Sequence, residues 1–93
     1  MDRLEYYRNA VNEIDGQLRS LLLARMELSR KIGRWKERQN LAVYDPQREE
    51  AVLRAVAKDL PVPEGQSMQE IWRIIFRESR KLQFVYRESE DRY

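Results

Sequence analysis

The sequence predicts an all-α chain of three helices, the first of them long, paired with a second copy as an intertwined homodimer. Three observations lead there. Glycine and proline together number only six of the 93 residues and cluster in a few places. Apolar residues recur at steps of three and four, the helical period. Two short stretches, Asp45-Pro46 and Ser67–Glu70, carry the chemistry that starts helices.

The first helix is expected over about 2–38. No proline interrupts it, and Leu4, Tyr7, Val11, Ile14, Leu18, Leu21, Leu28, Ile32 and Trp35 form a heptad-like seam along it. Gly16 and Gly33 each cost up to ~1 kcal/mol relative to Ala without breaking the helix. Asp45, an N-cap acceptor, with Pro46 at the first helical position opens a second helix over about 46–59. Val52, Leu53, Val56 and Leu60 share one side of it. LPVPEGQ, residues 60–66, reads as a loop. Ser67-Met68-Gln69-Glu70 then matches a capping box and begins a third helix over about 68–89. It carries Ile71, Trp72, Ile75, Phe76, Leu82, Val85 and Tyr86, and the tail ESEDRY reads as frayed. Residues 1–93 form one domain on this reading, with no strand and no repeat.

A helix of about 36 residues is about 54 Å long, whereas a compact globule of this size is about 32 Å across. The apolar seam runs the whole length, so half of it needs a second chain, and a dimer with crossing helices supplies one. A helix bent back on itself at Gly16 or Gly33 is the alternative.

Composition excludes much chemistry. There is no cysteine and no histidine, which removes disulfides, thiol nucleophiles, Ser–His triads and the common zinc sites. The 18 basic residues face 16 acidic ones for a formal charge of +2, a poor balance for phosphate neutralisation. No window approaches the ~18 apolar residues of a membrane span, and MDRLEYYRNA has no signal-peptide character. The cytoplasm is the expected location, with neither nucleic acid nor membrane as a partner.

Polar residues on apolar faces are the informative feature, because burying them is costly unless something answers them. Arg25 occupies the seam step between Leu21 and Leu28. Lys36 follows eleven residues later, about 20° round the helix and ~16 Å along it. Glu49 shares the side of Val52 and Leu53, while Ser79 and Gln83 project from the stripe of Ile75. A buried Arg25–Glu49 ion pair with two satisfied core residues would account for them, but five such residues point to a polar cavity. Its excess of cations suits an anionic ligand. Arg8 lies 28 residues from Lys36, about 42 Å along the helix, so it reaches the same ligand only from another chain.

These residues resemble the all-helical, type II, chorismate mutases. The resemblance runs from about Leu4 to Gln83. It is carried by Arg8…Ile14-Asp15…Leu18…Leu22…Ala24-Arg25…Leu28…Ile32-Gly33…Lys36, then Asp45-Pro46-Gln47-Arg48-Glu49, then Ser79…Gln83. It implies a homodimer with shared active sites that converts chorismate to prephenate in phenylalanine and tyrosine biosynthesis, with no cofactor and no metal. It also implies that Arg8 from the partner subunit, Arg25 and Lys36 hold the substrate carboxylates. Lys36 and Gln83 would flank the ether oxygen, while Glu49 and the backbone near Asp45 would bind the ring hydroxyl. Ser79 would contact a carboxylate, and Arg48 would be a supporting ion pair.

Other readings remain open from the sequence. An isochorismate–pyruvate lyase or a 4-amino-4-deoxychorismate mutase would use the same scaffold. A helical nucleic-acid or protein-interaction module would draw on the basic stripe of Arg30, Arg34 and Arg38, with Trp35 between.

Overall fold

The computed structural model describes residues 2–85, and within them the chain is three α-helices without a strand. The stretch from 86 to 89 assigned to the third helix, Tyr86 among it, and the tail lie outside the described residues. Helix α1 spans Arg3–Arg38, α2 spans Pro46–Ala57 and α3 spans Val62–Val85. None of these is long and apolar enough to cross a membrane.

Local chemistry sets the ends of α1 and the start of α2. Asp2 caps α1, its carboxylate accepting from the Glu5 N–H at 2.8 Å. At the other end Asn40 takes the left-handed conformation, φ 57°. The Asn40 N–H then bonds the Glu37 carbonyl, and the Leu41 N–H the Lys36 carbonyl at 2.8 Å. That is the Schellman arrangement, with asparagine in the place glycine usually takes. The helix runs unbroken through Gly16 and Gly33, so the chain does not fold back at either. Asp45 caps α2 by accepting from the Arg48 N–H at 3.1 Å, with Pro46 at the first helical position.

Helix α3 begins six residues earlier than the sequence reading placed it, at Val62 rather than Met68. Ser67-Met68-Gln69-Glu70 therefore lies within the helix, and the loop after α2 shrinks to a few residues. Pro63 occupies the second helical position, where no backbone N–H is needed, and the Gly65 N–H already bonds the Pro61 carbonyl at 2.9 Å. Gly65 packs against Ala57, whose Cβ would lie 3.4 Å from an added methyl. Two prolines and a glycine, read as loop signals, instead build a first turn.

Helix α3 packs against both α1 and α2, which do not pack on each other. The α1–α3 contact is made by small and polar residues: Ser29 and Gly33 are the buried positions of α1. A Cβ at Gly33 would sit 2.6 Å from the Gln83 carbonyl oxygen and 2.7 Å from its Cα. Glycine there is what lets the two backbones approach. The apolar core is correspondingly thin, with Val43 and Phe76 its buried members.

Among the described residues the seam of α1 is left uncovered. Leu4, Tyr7, Val11, Ile14, Leu18, Leu28, Ile32 and Trp35 are all exposed, and Leu21 is 68% exposed. The molecule is 54 × 30 × 15 Å, a long helix with two others against one end.

Candidate active site

Three elements converge on one cavity of about 340 Å³. From α1 come Arg25, Ser29 and Lys36, with Leu28 and Ile32 beside them. The start of α2 brings Asp45, Arg48 and Glu49. Helix α3 adds Phe76, Ser79, Arg80 and Gln83, and Val43 closes the loop side. Spacing explains the α1 and α3 contributions: 25, 29, 32 and 36 share a stripe, as do 76, 79, 80 and 83. Gly33 brings the two stripes together.

Hydrogen bonds hold the walls. Ser29 Oγ and Ser79 Oγ are 2.7 Å apart, joining α1 to α3. Lys36 Nζ donates to the Val43 carbonyl at 2.9 Å, fixing the lysine to the loop after α1. An ammonium has three donors, so two remain. Gln83 is 7% exposed, and its Nε2 approaches Ser79 Oγ at a long 3.4 Å. Its Oε1 is buried with no hydrogen-bond partner. The two ends of an amide have nearly the same shape. A half-turn would let Ser79 donate to the oxygen and turn the NH2 group toward unmet space.

The electrostatics are one-sided. Arg25, Lys36, Arg48 and Arg80 line the cavity against two carboxylates, Asp45 and Glu49, and Asp45 is engaged as the α2 cap. Arg25 makes no hydrogen bond or ion pair among the described residues; its guanidinium lies 5.9 Å from the Phe76 ring centroid. Burial, and then repulsion from Arg48, hold its pKa below the usual arginine value. It remains a cation at neutral pH, but one whose charge these surroundings disfavour.

Of the residues singled out from sequence, Arg25, Lys36, Asp45, Arg48, Glu49, Ser79 and Gln83 all border this cavity. Arg8 does not, being exposed on the far part of α1. The Arg25–Glu49 ion pair considered above does not form. Glu49 pairs instead with Arg80, Nη1 to Oε2 at 2.5 Å, because α2 packs on α3 and not on α1.

Two polar lining residues were missed. Ser29 had a signal, since Arg25, Ser29 and Gly33 recur at steps of four and two of them are small. Arg80 had none, because only the docking of α2 onto α3 brings it to Glu49. The basic stripe on α1 does not line the cavity, and Arg30 pairs with Glu27 one turn earlier.

The model of the family described as chorismate mutase type II matches residues 7–84 of the chain. No solved structure matches it significantly.

Proposed function

The chain belongs to the chorismate mutase type II family, and from that premise we propose that it rearranges chorismate to prephenate as a cytoplasmic homodimer with shared active sites. The reaction is pericyclic and asks for no nucleophile or proton relay. It asks that a flexible dianion be held in the compact conformer that brings the reacting carbons together. It also asks for donors where negative charge grows on the ether oxygen as that bond lengthens.

The cavity's residues suit both tasks. Arg25 and Lys36 take the substrate carboxylates with Arg8 of the partner subunit, and Ser79 adds a hydroxyl. Lys36, with two free donors, and Gln83, with its amide turned inward, face the ether oxygen. Glu49 and the backbone near Asp45 accept from the ring hydroxyl, while Arg48 supports them. A rate gain of ~10⁶ corresponds to about 8 kcal/mol, within reach of orientation and charged donors combined.

The observation that carries this reading is Arg25, a half-buried cation without an anionic partner, facing a cavity in which Arg48 repels it. An anionic ligand offsets both penalties. The homodimer is supported by the uncovered seam of α1 and by the position of Arg8, which the length of α1 keeps from its own chain's cavity.

The test is loss of chorismate absorbance on adding purified protein, with the product identified after acid conversion to phenylpyruvate. Phenylpyruvate is expected from wild type, and at least ~10²-fold less from Arg25→Ala, about 2.7 kcal/mol. No turnover by folded wild type would sink the reading.

A further inference from the structure

Glu49 and Arg80 border the cavity and also an outer recess of about 480 Å³ that includes Tyr44 and Phe84. The two side chains thus stand between the site and the outside. Arg80 donates to Glu49 Oε2 at 2.5 Å, and its guanidinium lies 5.3 Å from the Tyr44 ring centroid. A carboxylate and an aromatic face therefore fix the cation from two directions. The pair is half-buried, its side chains 31% and 19% exposed for Arg80 and Glu49.

This pair changes what Glu49 can recognise. Asp45 is committed to the α2 N-terminus, so Glu49 is the side-chain carboxylate left to meet a substituent on a ligand ring. Its Oε1 accepts no hydrogen bond among the described residues. Unpaired, a carboxylate would accept from a hydroxyl, but it would attract an ammonium more strongly, since opposite charges add to the hydrogen bond. With Arg80 bound to it, the Glu49 carboxylate belongs to a pair without net charge. Oε1 still accepts from a hydroxyl, whereas an ammonium would sit beside a guanidinium.

We propose that Arg80 is a specificity-determining residue, which makes the Glu49 subsite select a neutral hydroxyl over an ammonium on the substrate ring. It acts through Glu49 and touches no reacting atom. The assignment rests on the rearrangement proposed above and extends it to a residue outside the resemblance that identified the site.

The experiment compares kcat/KM for chorismate and for its analogue with an ammonium in place of the ring hydroxyl. The enzymes are wild type, Arg80→Met and Arg80→Lys. Methionine keeps much of the side chain's reach without its charge, and lysine keeps the charge without the planar fork. Wild type is expected to prefer the hydroxyl substrate. Arg80→Met is expected to move the ratio at least ~10-fold toward the ammonium, about 1.4 kcal/mol, with Arg80→Lys within roughly threefold of wild type. If Arg80→Met does not fold, Arg80→Gln replaces it with the same expectation.

A wild-type ratio that favours the ammonium overturns the proposal, as does an unchanged ratio in the neutral variant. A shift in Arg80→Lys as large as in Arg80→Met would also overturn it, by making shape and not charge the cause. Turnover of neither substrate by folded wild type defeats the rearrangement itself, a different result from turnover without discrimination.

Discussion

From Arg3 to Ala24 every residue of α1 is exposed, while from Arg25 to Lys36 the same helix has two buried positions and several half-buried ones. The difference does not follow apolar content. Leu18 and Leu21 in the first half and Leu28 and Trp35 in the second all remain exposed. What distinguishes the second half is Ser29 and Gly33, small enough for α3 to lie close. Within one chain, then, burial on α1 follows contact with α3, and the leucine-rich seam is left over along both halves. Among the described residues two buried apolar side chains, Val43 and Phe76, make a poor core for a domain of this length. In the proposed dimer, the seam supplies the missing stability.

Substitution on the seam has the greatest consequence. In a dimer buried along it, Leu18→Glu removes about 1.5–3 kcal/mol of apolar burial per copy, twice over by symmetry. The expected outcome is loss of the dimer by sedimentation and a folding transition lowered by about 3–6 kcal/mol. A stability change within about 0.5 kcal/mol would mark Leu18 as ordinary surface.

The two halves also carry different parts of the proposed site, which mixing separates. Arg8→Ala and Arg25→Ala are each expected to lose at least ~10²-fold in kcat/KM. Unfolded together and refolded, they should recover part of the wild-type rate, because a mixed dimer has one site with neither substitution. Without recovery, the assignment of Arg8 to the other subunit's site fails. Thermal unfolding run alongside should show Arg25→Ala no less stable than wild type. A lowered arginine pKa means that the folded chain disfavours the charge, and relief of that penalty offsets the contact with Phe76 that the substitution removes.

Glycine reads the same contrast on a finer scale. At Gly33 an added methyl meets the Gln83 backbone, so Gly33→Ala should destabilise by about 1–3 kcal/mol despite its better helix propensity. At Gly16 nothing lies within 4 Å, and Gly16→Ala should stabilise by up to about 1 kcal/mol in denaturant titrations. Loss of stability at Gly16 would reveal a second backbone against it.

The smallest effect lies on the outer face of α3. Hydrogen bonds from Lys81 and then Arg77 hold the Glu78 carboxyl below the usual carboxylate range. A lowered pKa contributes stability above the unfolded-state value that is lost as pH falls through the folded one. Glu78→Gln should leave turnover unchanged and remove that small acid-range dependence from a pH series of melting temperatures.

Much of this molecule was legible in the order of its residues, because the signals are local. Period, the Asp45-Pro46 cap and the scarcity of breakers give three helices. Polar residues interrupting apolar stripes give Arg25, Lys36, Glu49, Ser79 and Gln83. The start of α3 was misplaced because proline and glycine suit a helix's first turn as well as a loop, and only the Gly65–Pro61 hydrogen bond distinguishes them. A stripe also names a face without naming what covers it. The sequence therefore determined which side chains would be costly to bury, a property of each residue and its helical phase. Only the tertiary structure decided their partners: Ser29 against Ser79, Gly33 beneath Gln83, and Arg80, not Arg25, on Glu49. Those pairings depend on how closely and at what angle helices dock, and that is set jointly by residues distant in the chain.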